Sequence, residues 1–542
     1  MKAIPGAVCA LIACRLLPTA YAAAAEPAAP GPASAAEQHF AVHEYRVLGN
    51  SVLTNRQIEG VLYPLLGDKK TLADVEAARA ALESAYHTLG FQTVYVDIPE
   101  QTTAGAIVRL RVTEGRILDR TIHGAHYFSE GQILNELPAT EPGKVLSIPD
   151  VQRQLAAANA VTPDRAITPV FKAGPEPGTT DVSLVVTDHL PLHGSLDFNN
   201  QYTADTDKLR ATATLSYDDL FAALDSISAL FTTTPQDVHQ VDVLNVAYTF
   251  RPFAGGVRAG VNFTNSASSV ASVGTLGVLG DGQVYGATLS FPLVLQPTQL
   301  QSLSLAADYK HFRNTISLAG SDSGTPATML IEPIAYTNLS LAYSGFWQRL
   351  RADGRTAQSL NVTFSANAGP RGITNETQNF ALSRFQASGN YSYLRSDLGF
   401  TTVLPGAAQL QLRFSGQIAQ DPLVVYEQDS LTGANGVRGY LDAEVLSDEG
   451  YHSTVQLQSP SLRYKPLLLA DAFAFFDAGH AHYLATLSGQ PDATDLRSIG
   501  AGFDLFLGQT LTGTFTWART LLPGPETRNH ASRLLFDVKG QF

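Results

Sequence analysis

Residues 190–542 alternate between apolar and polar side chains in segments of about ten residues, and this period limits the possible fold more than any other feature. It is clear at 209–218, 338–348, 358–367 and 409–418. In 358–367 the apolar face consists of Leu360, Val362, Phe364 and Ala366, and the polar face of Asn361, Thr363, Ser365 and Asn367. Successive side chains of a β-strand point to opposite faces. The period therefore predicts a series of long strands, each with one apolar face.

A soluble β-sandwich also alternates, so the length of the segments decides between the two fold classes. Segments of about ten residues exceed the usual five or six of soluble strands and match the 9–11 that cross a bilayer. Aromatic residues gather at the segment ends, as in membrane barrels. Closing the sheet pairs every backbone amide, which hydrocarbon requires. At about 22 residues per strand and connection, we predict a transmembrane β-barrel of about 16 antiparallel strands at 190–542.

The N-terminus has the pattern of an export signal. Lys2 precedes an apolar stretch that ends in small residues, so residues 1–25 are predicted to be a secretory signal peptide. Lipid attachment at Cys14 is the alternative. Both cysteines of the chain, Cys9 and Cys14, lie in this segment, so we expect a mature chain without thiols, disulfides or thiolate metal sites. Residues 26–39 are rich in Ala and Pro, which indicates a flexible linker.

Between the linker and the alternating region, strand and helix patterns follow one another in the order β-α-α-β-β, and this order occurs twice. The first copy, at 40–115, has predicted strands at 40–48, 91–98 and 106–112 and helices that begin near Thr54, with a Thr54–Gln57 capping box, and at Thr71. The second, at 116–189, has predicted strands at 117–122, 167–172 and 181–187 and helices that begin at Ser129 and after Ser147. We predict two tandem α+β modules of roughly 75 residues, with one α+β domain of about 150 residues as the alternative.

Charge and histidine positions exclude several classes of function. A net charge of −13 disfavours a nucleic-acid binder, which needs a basic surface. No apolar run reaches the roughly 20 residues of a spanning helix, which excludes a helical transporter. The 13 His residues form no His-Glu-x-x-His site, and His480 and His482, which share a strand face, lack a third ligand. Asp477 and His480 fall on opposite faces of a strand, so they form no catalytic pair. We predict no enzyme activity, cofactor or metal, and a lipid-modifying barrel enzyme with Ser and His from distant strands stays open.

Two motifs within the barrel region carry the functional argument. They are Val437-Arg438-Gly439-Tyr440 in a Gly/Asn-rich stretch, and Phe475, Asp477 and Gly479 on one strand face. A separate feature is the last strand, on which Phe536, Val538 and Phe542 share a face. Asp477 is expected to face the lumen, since a carboxylate facing lipid is costly. An Arg on a loop inside the barrel needs a carboxylate, and a guanidinium–carboxylate fork supplies energy and geometry. We therefore predict an Arg438–Asp477 pair; the alternative is a solvated Arg438 beside an Asp477 that lines a channel.

With two modules before the barrel, the chain resembles the two-partner secretion transporters of the haemolysin secretion/activation family, which have two POTRA modules and a 16-stranded barrel. In that family a Val-Arg-Gly-Tyr/Phe tetrad at the tip of a long loop contacts the Asp of a Phe-x-Asp-x-Gly strand motif. The stretch from Thr113 to Ile117, Thr-Glu-Gly-Arg-Ile, resembles the family's module junction. The final Phe542 resembles the signal by which outer-membrane barrels are recognised by the assembly machinery. Residues 26–38 are too short and Pro-rich for the plug helix of some members.

The resemblance implies a pore in the bacterial outer membrane, surrounded by lipid, with its modules in the periplasm. These modules would bind a dedicated secreted partner, expected to be large and β-helical, by adding its strand to a sheet edge. The candidate edge residues are Phe91, Thr93, Tyr95 and Asp97. The partner would cross without ATP, and Arg438–Asp477 would hold the loop in its transport-competent position. The alternatives are a barrel-assembly factor, which usually carries more POTRA modules, and a passive porin, which lacks them.

Overall fold

The computed structural model describes residues 39–102, 104–204, 206–253, 256–268, 271–272, 278–296, 298–318, 328–370, 377–465 and 467–542. The predicted signal peptide, with Cys9 and Cys14, and all of the predicted linker except residue 39 lie outside these residues. The described chain forms two compact units. One contains the described part of Met1–Arg120 with Ala139–Gln152 and Phe171–Val182; the other contains Thr121–Pro138, Arg153–Val170 and the described part of Ser183–Phe542.

The first module consists of two helices against a three-stranded sheet. Its elements are β1 (Phe40–Val42), β2 (Glu44–Leu48), α1 (Asn55–Leu62), β3 (Gly67–Lys70), α2 (Leu72–Thr88), β4 (Tyr95–Asp97) and β5 (Ile107–Thr113). The sheet order is β2-β5-β4, with β5 parallel to β2 and antiparallel to β4, and β1 pairs with β3. One face of α2 supplies Val75, Leu82 and Tyr86 to the core, as its helical period predicts. The Thr54–Gln57 capping box forms at the start of α1.

Two strand predictions in this module are wrong in detail. The segment 40–48 is divided into β1 and β2, which join different sheets, and β3 was not predicted. The strand predicted at 91–98 forms only at Tyr95–Asp97. Phe91 instead closes the end of α2, because its N–H donates to Tyr86 O (3.0 Å), and the N–H of Val94 turns back to Phe91 O (3.3 Å). Phe91 and Thr93 therefore lie outside the strand.

The second module follows the predicted order. Its elements are β6 (Arg116–His123), α3 (Glu130–Glu136), α4 (Ile148–Asn159), β7 (Arg165–Ala173) and β8 (Thr179–Asp188), and the sheet order is β6-β8-β7. Ser129 caps α3 by accepting the N–H of Gln132 at 3.3 Å. No helix among the described residues is long and apolar enough to cross a membrane.

A buried carboxylate at the end of β8 fixes the turn before α3. One oxygen of Asp188 accepts the backbone N–H groups of His126 (2.8 Å), Tyr127 (2.7 Å) and Phe128 (3.3 Å). Burial alone would raise the pKa of Asp188, but these hydrogen bonds outweigh it and lower the pKa below its ordinary value of 3.8. The folded module therefore stabilises the charged form of Asp188.

Asp188→Ala is expected to lower the free energy of unfolding of this module by about 1–3 kcal/mol, because three N–H groups lose their acceptor. A lowered pKa contributes stability that is complete above the unfolded pKa of about 3.9 and is lost as the pH falls through the folded pKa. The difference from wild type should therefore shrink below about pH 4. Urea-dependent proteolysis of the full-length chain measures it. Asp119→Ala, which removes an exposed carboxylate of the same module, is the control; an equal effect of both variants would contradict the prediction.

The rest of the described residues form a closed antiparallel barrel with its connections, which confirms the predicted fold class. The wall strands are β9 (Leu192–Asn199), β10 (Arg210–Asp218), β11 (Ser226–Thr233), β12 (Val241–Phe250), β13 (Arg258–Ser268), β16 (Gly282–Gln296), β17 (Gln299–Leu318), β18 (Thr328–Leu350), β19 (Thr356–Ala368), β20 (Ser392–Val403), β21 (Gln409–Ala419), β24 (Glu449–Gln458), β25 (Leu462–Lys465), β26 (Leu468–His482), β27 (Ala493–Leu507), β28 (Leu511–Thr520) and β29 (Ser532–Gln541). Short pairs β14–β15 (Ala271–Ser272 and Val278–Leu279) and β22–β23 (Asp429–Ser430 and Leu446–Ser447) lie in connections, as does α5 (Thr377–Ser383). β24 and β25 pair successive parts of β26, so they count as one interrupted strand and the described wall has 16 strands.

Alternation along the wall strands separates an apolar outside from a polar inside. On β21, Leu412, Phe414 and Ile418 are exposed on the outer face, whereas Ser415 and Gln417 are buried on the inner face. This is the pattern that a lipid-facing wall requires.

The barrel closes between its last and first strands. β29 pairs with β9 in a register from Asp537–Asn199 to Gln541–Ser195. Beyond it, Phe542 and Gly194 exchange two backbone hydrogen bonds of 3.0 and 3.1 Å. The ring of Phe542 covers Gly194, where an added Cβ would lie 2.3 Å from ring atom Cζ. Val538 lies opposite Phe198 on β9, and Phe536 lies opposite Phe515 on β28.

Candidate functional site: a loop docked inside the barrel

The connection between β21 and β24, residues 420–448, folds back against the inner wall of the barrel. The β22–β23 pair forms its stem, and Val437 N–H donates to Leu431 O at 2.8 Å to close the turn at its tip. Gly436 is required in this turn, because a Cβ there would lie 2.3 Å from Leu431 O. Arg438 therefore follows directly after a compact turn at the tip of the loop.

Arg438 and Asp477 form a two-pronged ion pair between this loop and β26. Arg438 Nε lies 2.8 Å from Asp477 Oδ2, and Nη2 lies 2.8 Å from Oδ1. The backbone N–H of Arg438 donates to Oδ2 as well, at 3.1 Å. The side chain of Asp477 is 0% exposed and that of Arg438 is 13% exposed, so the pair is shielded from water. A buried pair of this geometry is costly to break, since removal of one partner leaves an uncompensated charge.

The guanidinium has two more partners on the wall. Its Nη1 donates to Gln456 Oε1 on β24 at 3.0 Å. Its plane lies over the ring of Phe475, with Cζ 3.3 Å from the ring centre. Phe475 and Asp477 share the inner face of β26, so one strand supplies both the aromatic face and the carboxylate. Alternation on the strand fixes this arrangement.

The other motif residues fit the tip of the loop to the wall. Val437 is fully buried and approaches Gly479, where an added Cβ would lie 3.0 Å from Val437 Cγ2. Gly439 has φ +99°, a conformation that other residues rarely adopt. The hydroxyl of Tyr440 donates to Leu522 O at 2.7 Å and accepts the N–H of Arg497 at 3.3 Å. Arg533 of β29 donates to Tyr440 O. The seven predicted motif residues thus meet in one contact area.

Three further carboxylates of the same loop bond to the barrel, and the sequence motifs did not reveal them. Glu427 accepts from Lys310, Tyr336 and Tyr393 on the wall. Glu444 accepts the N–H groups of Glu526 (2.9 Å) and Thr527 (2.7 Å) in the β28–β29 connection. Asp448 forms an ion pair with Arg384 after α5 and accepts the N–H of Leu484 at 3.0 Å. No short motif marks these residues, because their partners lie far away in sequence.

The sheet edge considered for partner binding is occupied by side chains of the same module. The N–H of Val96, in the middle of β4, donates to Glu83 Oε2 at 3.0 Å, and Val96 O accepts from Arg79 Nη1 at 3.1 Å. In the second module, Asn159 of α4 bonds in the same way to both backbone groups of Ile167 on β7, at 2.8 and 3.0 Å. The helices therefore protect the outer edges of β4 and β7.

Several histidines lie beside carboxylates, among them His480 and His482. His480 lies 2.8 Å from Asp495 and His482 lies 3.2 Å from Glu449, so each of the two bonds to a different acid. Elsewhere, Asp164, His193 and Asp218 bring three possible ligand atoms within 4.8 Å of one another. His193 Nε2 is 2.9 Å from Asp164 Oδ2 and 3.8 Å from Asp218 Oδ2. Strand patterns did not predict this cluster, because Asp164 precedes β7 and the other two lie on β9 and β10.

A closed outer-membrane-type barrel, a lumenal loop fixed to its wall and N-terminal α+β modules define a POTRA-bearing outer-membrane barrel protein. The chain belongs to the haemolysin secretion/activation protein family ShlB/FhaC/HecB, whose family model matches residues 178–505. The model of the ShlB-type POTRA domain matches residues 40–115. The predicted family and the outer-membrane localisation are thereby confirmed.

Curated relatives and solved structures agree with this family. The outer membrane transporter CdiB of Dickeya dadantii (strain 3937) is 24% identical over 212 residues, which is 39% of this chain and 37% of the relative. CdiB of Escherichia coli O6:K15:H31 is 22% identical over 34% of this chain and 31% of the relative. The matches thus span about a third of the length of these relatives.

Two solved structures show the same fold over nearly the whole chain. CdiB from Escherichia coli superposes with a TM-score of 0.61 at 18% identity, and the match covers 94% of this chain and 92% of that one. BamA from Haemophilus ducreyi lacking POTRA domains 1–3 superposes with a TM-score of 0.57 at 12% identity, covering 93% and 100%.

Proposed function

We propose that this chain is an outer-membrane translocation pore that binds a dedicated secreted partner through its POTRA modules and exports it without ATP. The observation that carries the proposal is the docked loop with its Arg438–Asp477 pair, in a chain of the haemolysin secretion/activation family. A passive porin would lack periplasmic modules, whereas the ShlB-type POTRA model matches residues 40–115 of this chain. In the proposed function, the fork holds the loop tip in the position that transport requires.

The partner binds as an added strand on the edge of β2 in the first module. The outer edge of β4 is disfavoured, because Glu83 and Arg79 already bond to Val96. His43, just before β2, donates its N–H to Ala106 O, just before β5 (2.8 Å), so we expect alternation to direct the N–H of Arg46 to the opposite, outer edge of β2. Among the described residues, no side chain bonds to the backbone of Arg46. An extended segment of the partner gains main-chain hydrogen bonds there.

Deletion of this chain in its native host tests the proposal. We expect one large exported protein, encoded beside the chain, to disappear from the medium and to accumulate in the periplasm, and the full-length chain supplied in trans should restore export. Immunoblots of medium and periplasm measure this distribution. Normal export from the deletion strain would contradict the proposal.

A second candidate is a factor that inserts other barrels into the outer membrane, and the superposition on BamA favours it. The same deletion strain separates the two functions. A barrel-assembly factor would lower the amounts of many outer-membrane proteins together, whereas a dedicated transporter leaves them unchanged. Quantitative mass spectrometry of the outer membrane supplies this comparison.

A further inference from the structure

We propose that Glu427 is a second anchor of the lumenal loop, which fixes its base independently of the Arg438–Asp477 pair at its tip. The inference rests on the proposed role of this loop in transport. Glu427 ends a short 3₁₀ turn, Val425–Glu427, and its side chain is 1% exposed. One oxygen accepts from Lys310 Nζ (2.5 Å) and Tyr336 OH (2.6 Å), and the other accepts from Tyr393 OH (2.8 Å).

The three donors come from a different part of the wall than the partners of Arg438. Lys310 lies on β17, Tyr336 on β18 and Tyr393 on β20, whereas Asp477 and Gln456 lie on β26 and β24. The two anchors share no side chain. Loss of one therefore leaves the hydrogen bonds of the other intact.

Apolar packing beside Glu427 holds the same part of the loop. Tyr426 stacks on Phe312 of β17, with ring centres 3.8 Å apart and an angle of 20° between the rings. Leu423 and Val424 are buried in one cluster with Phe312, Tyr336 and Tyr393. The base of the loop thus buries apolar side chains against the wall as well as a carboxylate. We therefore expect the base to stay on the wall when the tip is released.

Charge compensation makes Glu427 the decisive residue of this anchor. The side chain of Lys310 is only 16% exposed, and the Glu427 carboxylate lies 2.5 Å from it. Glu427→Gln keeps the size of the side chain but leaves the poorly exposed ammonium of Lys310 without its direct ion-pair partner. A second substitution, Lys310→Met, removes that charge and should restore the anchor in the double variant.

Thiol labelling of the full-length protein measures the base and the tip separately. The two native cysteines lie in the predicted signal peptide, so an introduced cysteine is expected to be the sole thiol of the mature chain. Val425→Cys reports on the base and Ala434→Cys on the tip, since both positions are half-buried. The rate of reaction with a water-soluble maleimide then follows the fraction of open loop in detergent-purified protein.

Glu427→Gln should raise the labelling rate at position 425 about tenfold or more and leave position 434 unchanged. Arg438→Ala should raise the labelling rate at position 434 and leave position 425 unchanged. Addition of Lys310→Met to the Glu427→Gln variant should return the rate at position 425 toward wild type. No change at position 425, an equal rise at both positions, or no rescue by Lys310→Met would overturn the independent anchor. Export of the partner is measured in the same strains: normal export by Arg438→Ala would refute the proposed function, whatever the labelling rates show.

Discussion

Arg438→Ala is expected to reduce export of the secreted partner by about a hundredfold, while the barrel still assembles in the outer membrane. The substitution removes the fork, the contact with the Phe475 ring and the bond to Gln456 together. It also leaves Asp477, whose side chain is 0% exposed, without its counter-charge. The barrel itself is held by the strand ladders, which do not involve this side chain.

The measurement determines the amounts of partner in the medium and in the periplasm, and relates them to the amount of variant in the outer membrane. The heat-dependent gel mobility of the variant checks that the barrel is closed. Arg413→Ala is the matched control, because Arg413 lies on the inner face of β21 and bonds only weakly to Gln411 at 3.5 Å. Arg438→Lys should export poorly as well, since an ammonium group cannot form the fork.

A double substitution tests whether export depends on the interaction between Arg438 and Asp477 or on each side chain by itself. Asp477→Asn should block export as Arg438→Ala does, and the two together should be no worse than either alone, because both remove one interaction. Normal export by Arg438→Ala, or additive effects of the two substitutions, would show that the pair does not hold the loop for transport.

The barrel and the Arg438–Asp477 contact could be predicted because short stretches of sequence indicate the strands and each of the two residues. Alternation is a local property, and a strand that keeps Leu412 and Phe414 on one face has already fixed which face meets lipid. Asp477 was recognisable because a carboxylate on an apolar strand must face the lumen. The residue types and the strand period together predicted both partners.

Contacts between distant segments could not be predicted in this way. Glu427 and Tyr336 are 91 residues apart, and nothing local to either residue marks the other. The edge of β4 is a second example. Whether its backbone is free depends on the hydrogen bond from Val96 N–H to Glu83 of α2, and the strand period of the sequence does not indicate this contact. The break between β1 and β2 also arises from pairing, because β1 joins β3 and β2 joins β5.

Arg46→Pro is expected to weaken binding of the partner to the chain about tenfold or more and to reduce export accordingly. Proline has no N–H, and alternation from His43, just before β2, is expected to direct the N–H of Arg46 to the outer edge of the strand, away from β5. The substitution therefore removes a donor that an added partner strand would use, while it spares the hydrogen bonds between β2 and β5. Titration of the purified full-length chain with an N-terminal fragment of the partner measures the affinity.

Arg46→Ala separates the backbone from the side chain, because it removes the guanidinium and its contact with Glu44 but keeps the N–H. This variant should bind and export as wild type does. Circular dichroism and protease resistance check that the module of the Pro variant is folded, since proline also restricts φ at position 46. If Arg46→Pro binds the partner normally in a folded module, the edge of β2 is not the docking strand. If Arg46→Ala abolishes binding, the partner recognises the Arg46 side chain and not the backbone, and strand addition at this edge is refuted.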